Sequence, residues 1–392
     1  MYPNLYYAFK DLFGVEWSFL RFVNSFGFFV AIAFIVAAIL LSKELRRRSR
    51  QGFFQPTEMQ VMVGQPATPL DLGLNFLLGF LLGYKILALF IMKSSATQDP
   101  QAFIFSTLGS WPAGIGLGLL FAGLKWWDKN KRKLAKPEKR TVRIWPHDRV
   151  GEITILALIF GLLGAKLFDI FENWQGFLET PSEYLFSASG LTWYGGLICA
   201  AVAILIYARK HKISFWHLND SAAPALMLAY AIGRIGCQVA GDGDWGIESN
   251  LANKPSFLPD WMWSYTYPNN VNGEGAIKIV GCEGKYCNEL AHGVYPTPLY
   301  EVIACTVLFF ILWSFRKKLK VPGTLFALYL ILNGFERFFI EKIRVNTRMD
   351  FFGLQPTQAE VISSLLVISG IIIWIVLKRQ AKQQKKPSEN TE

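Results

Sequence analysis

Long apolar stretches bounded by charged clusters recur along the chain, at residues 19–42, 72–92, 103–127, 150–171, 189–208, 220–240, 296–315, 322–343 and 357–377. A helix rises 1.5 Å per residue, so about 20 apolar residues cross the hydrocarbon core of a bilayer. The pattern therefore predicts an all-α polytopic membrane protein of about nine transmembrane helices. Composition agrees: of 392 residues, 52% are hydrophobic and only 18% charged, too apolar a balance for a soluble protein of this size.

The net charge of +11 would suit nucleic acid, but its distribution excludes that partner. Basic clusters follow the first, third, fifth, seventh and ninth stretches, at Lys43 to Arg50, Lys125 to Arg149, Arg209 to Lys212, Arg316 to Lys320 and Lys378 to Lys386. The intervening connections carry few positive charges. This alternation predicts an N-terminus outside and a C-terminus inside, and the inner clusters also suit anionic lipid on that leaflet. The first apolar run is too long for a signal-peptide core and ends in Arg46-Arg47-Arg48, so it reads as a retained helix. Cys199, Cys237 and Cys305 fall in apolar stretches. Cys282 and Cys287 fall in the outer loop, on the oxidising face, where they are candidates for a small disulfide. Only His292 is near enough to add a ligand to that pair, which argues against a metal site.

The organisation expected is one integral membrane domain over residues 1–378, an outer loop cap at 242–295 and a polar cytoplasmic tail at 379–392. Residues 62–125 resemble 140–210. Gly79 to Lys85 line up with Phe160 to Lys166, Pro69 and Asp71 with Pro146 and Asp148, and Ser106, Gly109 and Trp111 with Ser187, Gly190 and Trp193. The first unit reads as an extra helix pair arising by duplication.

Ionisable residues inside apolar stretches are costly and usually face a polar cavity. Arg337 and Glu341 are such residues, and Arg234 lies near the end of another stretch. Four segments converge, by the predicted topology, on the outer surface. Gly233 to Gly246 joins Arg234 to a glycine-broken turn bearing Asp242 and Asp244. Glu336 to Arg344 sets Arg337, Glu341 and Arg344 on one helical stripe, a fork-shaped cradle for phosphate. Tyr295 to Glu301 carries Tyr300 and Glu301. Leu191 to Leu197 carries Tyr194, Gly195 and Gly196, glycines for which close helix packing is the simpler reading. Taken singly, each segment also reads blandly, as interfacial anchors or an intrahelical ion pair. Taken together, they suit an enzyme acting on an anionic phospholipid headgroup. His147 and Asp148 fall on the opposite face and are excluded from catalysis.

The same four motifs occur in the order seen in the prolipoprotein diacylglyceryl transferases, which the chain resembles over about 150–378 and, weakly, in its first stretch. There are departures: Tyr194 stands where the family usually has His, Cys237 where Asn is usual, Asp242 where Glu is common, and Phe26-Gly27 for an early Tyr-Gly. Seven spans are usual in the family. The resemblance implies transfer of the diacylglyceryl group of phosphatidylglycerol to a lipobox cysteine of lipoprotein precursors in the bacterial inner membrane, with glycerol phosphate as leaving group and no cofactor or metal. It further implies that Arg234 and Arg337 hold the phosphate, that Asp242 and Glu341 orient them or take the thiol proton, and that Tyr194 assists. Arg344, Gly195, Gly196, Gly246, Tyr300 and Glu301 complete the substrate-binding set. The rival readings are a lipid-binding protein or transporter, and an aspartyl intramembrane protease using Gly241-Asp242-Gly243-Asp244 with Asp169.

Overall fold

The structure, a computed structural model, describes residues 1–88, 103, 108–186, 190, 192–282, 285–346, 348–350 and 355–383. Residues 89–92 of the predicted stretch 72–92, residues 104–107 of the stretch 103–127 with Ser106 among them, Ser187, Leu191 and the tail beyond Gln383 lie outside the described residues. Long helices are α1 (Ser25–Arg50), α2 (Pro69–Leu81, continued by a π turn over Leu82–Leu87), α3 (Trp111–Lys131), α4 (Val150–Glu172), α5 (Trp193–Lys210), α6 (Phe215–Ala240), α7 (Thr297–Phe315), α8 (Thr324–Glu341) and α9 (Gln358–Gln383). Among the described residues six helical segments are long and apolar enough to cross a membrane: Ser25–Arg50, Pro69–Leu87, Pro146–Glu172, Phe215–Ala240, Thr297–Phe315 and Gln358–Gln383. Helices α3, α5 and α8 occupy the other three predicted stretches. The 18 residues of α8 include Glu336, Arg337 and Glu341, so the charges that mark a site also dilute its apolarity.

The chain is mainly helical, as expected, and carries two short antiparallel ribbons besides, the smaller pairing Ile277–Lys278 with Asn288–Glu289. Strands β1 (Thr57–Val63) and β2 (Glu138–Ile144) pair antiparallel, from Thr57 opposite Ile144 to Val63 opposite Glu138. The first segment is rich in β-branched and other apolar residues and the second in charged ones, and the packing of α2 on α3 returns the chain so that they meet.

Helix pairs approach through glycine. A Cβ at Gly79 would lie 2.5 Å from the Leu117 carbonyl oxygen, and one at Gly118 would strike Phe76, which closes α2 onto α3. A Cβ at Gly196 would lie 2.8 Å from the Gly161 carbonyl oxygen, and one at Gly164 would meet the Gly195 carbonyl, which closes α4 onto α5. Small residues at a contact let backbones approach closely where lipid supplies no hydrophobic drive. The central packing joins α6, α7 and α8 around Ala223, Met227, Ala231, Cys305, Phe309, Leu312 and Leu325. Helix α1 lies along α6, its Phe26 and Phe29 against Gly236.

One end of this bundle is held by a buried ionic network that the sequence reading did not single out. Asp220, at the start of α6, pairs with Arg48 of α1 at 3.3 Å and accepts the backbone N–H groups of Gly323 and Phe326, both at 2.9 Å. It thereby satisfies orphan donors at the start of α8. Glu44 of α1 pairs with Arg47 at 2.8 Å and Arg316 at 2.7 Å. Removing one partner of a buried pair leaves an uncompensated charge, at a cost of about 3–5 kcal/mol. Asp220→Ala should therefore lower unfolding stability by roughly that amount, while Asp220→Asn, which keeps one oxygen acceptor for an α8 amide, should lose less; denaturation of the purified variants in one detergent checks this.

Candidate functional site

The other end of the bundle gathers three guanidinium groups around one carboxylate. The chain enters α7 through Pro296 and Pro298, residues suited to a helix's first turn. That places Glu301 one turn further in, fully buried. Its Oε1 lies 3.1 Å from Arg337 Nη1 and 3.3 Å from Arg344 Nη1. Its Oε2 pairs with Arg234 and accepts the Tyr230 hydroxyl at 3.2 Å. Arg234 and Tyr230 come from the last turns of α6, Arg337 from the last turns of α8, and Arg344 from the segment just beyond α8.

A second carboxylate bridges two of these arginines from above. Gly241, with φ of 63°, ends α6 in the left-handed conformation, its N–H bonded to the Cys237 carbonyl. The turn that follows brings Asp244 back over the helix end, where it pairs with Arg234 and lies 2.5 Å from Arg344. Burial raises the Asp244 carboxyl, but Arg234 and Arg344 outweigh it and hold the group at about 2. Asp242 is shifted the other way, upward, by burial and then by the charge of Asp244. The residue that orients the arginines in this turn is thus Asp244; Asp242 lies one step away, its Oδ1 3.4 Å from the Asp244 N–H. Glu341 stands 3.1 Å from Arg337 Nη2 as an ion pair and accepts Asn346 at 2.5 Å.

Gly246 fixes Arg344. It forms an isolated antiparallel bridge with Arg344, and the Ile247 N–H donates to the Ile343 carbonyl at 2.9 Å. A Cβ at Gly246 would lie 2.5 Å from that same carbonyl oxygen and 3.0 Å from Thr297 and Tyr295. The loop above folds around fully buried Asn270, whose amide reaches the Tyr267 and Glu274 carbonyls at 3.2 and 2.7 Å. Trp245, Tyr267 and Val294 pack beside it, and Cys282 and Cys287 form a disulfide.

The remaining candidates divide. Tyr194, in the first turn of α5, is close enough to interact electrostatically with Arg337, Glu341 and Arg344. Gly195 and Gly196 sit at the α4–α5 contact, where a Cβ would meet Phe168 and the Gly164 carbonyl at Gly195 and the Gly161 carbonyl at Gly196. Tyr300 turns to the loop, its hydroxyl donating to the Met262 carbonyl at 2.7 Å. Asp169 is held by Asn173 at 3.1 Å and Lys166 at 3.9 Å. Two participants were not assigned a role from sequence. Tyr230 lies four residues before Arg234, a helical spacing that signals a shared face. Glu336 is buried with neither oxygen hydrogen-bonded among the described residues, close to Cys305.

Chemically, three guanidiniums matched by Glu301, Asp244 and Glu341 form a prearranged ionic network whose cations are fixed in position. Arg344 Nε is buried and has no hydrogen-bond partner among the described residues, a donor that could serve an oxygen ligand. Cys237, Asp242 and Asp244 have ligand atoms within 4.8 Å of one another. Because Asp244 is already shared by two arginines, the charge balance there suits an anion better than a metal ion.

These features define a class: a polytopic helical membrane protein with an arginine-rich site sunk into one end of its bundle. Residues 113–376 match the model of the prolipoprotein diacylglyceryl transferase family, and the chain belongs to that family. It is 30% identical over 247 residues to a phosphatidylglycerol–prolipoprotein diacylglyceryl transferase of Bacillus cereus (strain G9842), covering 62% of this chain and 82% of that protein. It is 32% identical over 231 residues to the protein of that name in Clostridium novyi (strain NT), covering 58% and 79%.

Two outcomes follow. Gly246→Val should displace the Ile343–Arg344 backbone; misplacement by about 1 Å costs on the order of 10²-fold in rate, so turnover should fall by about that factor while the protein remains folded by size exclusion. The two aspartates should respond oppositely to amidation. Asp244, depressed, contributes stability above the ordinary carboxylate range that is lost as pH falls toward 2. Asp242, raised, costs stability at neutral pH, and that cost disappears below the ordinary carboxylate range. Thermal midpoints at neutral pH should therefore drop for Asp244→Asn and hold or rise for Asp242→Asn.

Proposed function

We propose that this protein transfers the diacylglyceryl group of phosphatidylglycerol to the lipobox cysteine of lipoprotein precursors, releasing glycerol phosphate, and that the arginine network is its active site. The observation that carries the reading is the convergence of Arg234, Arg337 and Arg344, from three separate segments, on buried Glu301. The cysteine sulfur attacks the glyceryl carbon, a C–S bond forms, and the C–O bond to phosphate breaks. A phosphodiester carries one negative charge; as it becomes a phosphomonoester a second grows on its oxygens. Fixed guanidiniums stabilise that growth without reorganising. An ordinary thiol titrates near 8.5, so it needs a base or a positive field. Asp242, with its raised affinity for a proton, Glu341 and Tyr194 are the candidates to receive that proton, and Asp244 and Glu301 position the arginines.

In this reading the chain is a bacterial inner-membrane protein with about nine spans, N-terminus outside and C-terminus inside, and the arginine network faces the extracytoplasmic side. The alternating basic clusters and the disulfide in the loop above the network support that orientation. The α2–α3 pair is an added copy of α4–α5. Its support is the shared build: glycine contacts close both pairs, and in each the Asp after the Pro accepts the N–H of the residue before that Pro, Thr68 to Asp71 at 3.2 Å and Trp145 to Asp148 at 2.9 Å. The transporter and protease readings draw less support, because the ionisable cluster sits at helix ends and Asp169 is taken up by Lys166 and Asn173.

The deciding experiment incubates the purified protein with phosphatidylglycerol vesicles and a lipobox peptide. A mass gain of one diacylglyceryl group is expected, abolished by Arg234→Ala and by Arg337→Ala in variants that still insert. Peptide cleavage, or near-normal transfer by both variants, overturns the assignment.

A further inference from the structure

A second basic site lies at the opposite end of the bundle. A cavity of about 430 Å³ opens between α1 and the start of α4, lined by Ala38, Ile39, Ser42, Lys43, Arg46, His147, Val150 and Gly151. On α1, Ala38, Ser42 and Arg46 follow at four-residue spacing, with Ile39 and Lys43 beside them, so they share one face. His147, Val150 and Gly151 form the facing wall. The lining is graded along the helix axis: Ala38, Ile39 and Val150 are apolar, and Lys43, Arg46 and His147 gather at the helix end. From Ile39 to Arg46 is about 10 Å at 1.5 Å per residue, the step from acyl chain to headgroup.

The charges here are of a different kind from their neighbours. Arg47 and Arg48, adjacent on the same helix, are paired with Glu44 and Asp220. Lys43 and Arg46 are exposed and have no ion-pair partner among the described residues. His147 Nδ1 is buried with no hydrogen-bond partner among them. No carboxylate lines the cavity; Asp148, next along the chain, accepts the Trp145 N–H and lies 3.6 Å from His147 Nε2. A Cβ at Gly151 would meet nothing within 4 Å, so the space beside α4 is kept open by the absence of a side chain.

We infer that this cavity binds the phosphate headgroup of an anionic phospholipid from the leaflet opposite the arginine network, with one acyl chain along Ala38, Ile39 and Val150. Basic pockets between membrane helices are suited to such headgroups, and each Lys or Arg near an anionic surface adds measurable attraction. The site is independent of the transfer reaction. It holds a lipid as a fixed part of the bundle, beside the Arg48–Asp220 latch.

The test compares the detergent-purified full chain with Lys43→Gln/Arg46→Gln and with Gly151→Leu, which fills the cavity and keeps the charges. Native mass spectrometry counts bound phosphatidylserine and phosphatidylcholine, and peptide lipidation reports that the fold is intact. The parent should retain one more phosphatidylserine than either variant, with affinity roughly 30-fold weaker in the double variant, as expected for two lost basic residues. Phosphatidylcholine retention and lipidation should be unchanged in all three. Equal phosphatidylserine retention by the parent and both variants overturns the inference. Displacement of the lipid by free glycerol phosphate at similar affinity also overturns it, because the cavity would then be a soluble-anion site.

Discussion

The structure of the site depends on a single buried carboxylate. Glu301 is fully enclosed near the start of α7, where an unpaired charge would be prohibitive, and it is tolerated because three arginines and the Tyr230 hydroxyl surround it. The dependence runs both ways. Without Glu301, Arg234, Arg337 and Arg344 would repel one another, and α6, α7 and α8 would lose the contact that draws their ends together. A carboxylate that gathers cations in this way fixes three guanidiniums from separate segments at one place.

Among the described residues, α6, α7 and α8 carry an ionic network at each end, and each does different work. At one, Asp220, Arg48, Glu44 and Arg316 tie α1, α6, the end of α7 and the start of α8 into a closed latch. At the other, Asp244 and Glu301 tie α6, α7 and α8 through arginines, with Arg344 Nε left without a hydrogen-bond partner among the described residues. Helices α6 and α8 are therefore held at both ends. This rigidity matters for an anion site, since a guanidinium stabilises growing charge only if its position is set before that charge appears.

The loop between α6 and α7 is part of the site. Its return strand at Gly246 bridges Arg344, and Thr297 at the start of α7 donates its hydroxyl to the Asp244 carbonyl at 2.7 Å. The loop thus carries Asp244 to the arginines, and Arg344 is aimed by a backbone pairing instead of by helix geometry. Membership of the prolipoprotein diacylglyceryl transferase family accords with this build, in which motifs far apart in the chain meet at one end of the bundle.

Hydrophobic runs and the placement of arginines were legible along the chain because both are local. A stretch of apolar residues must be helical wherever lipid or a helix bundle surrounds it, and an ionised residue inside one demands a partner. Arg234, Arg337, Arg344, Glu301 and Glu341 could be named on that ground alone. The partner of each could not. That Asp244 and not Asp242 bridges the arginines follows from the turn after Gly241, and that Gly195 and Gly196 pack against α4 follows from the distance between two helices. The Asp220 latch, the β1–β2 ribbon and the Lys43–Arg46 cavity join residues tens to hundreds of positions apart. Periodicity and composition report the environment a residue needs; only the packed chain decides which distant group supplies it, because hydrogen bonds and ion pairs are satisfied in space and not in sequence.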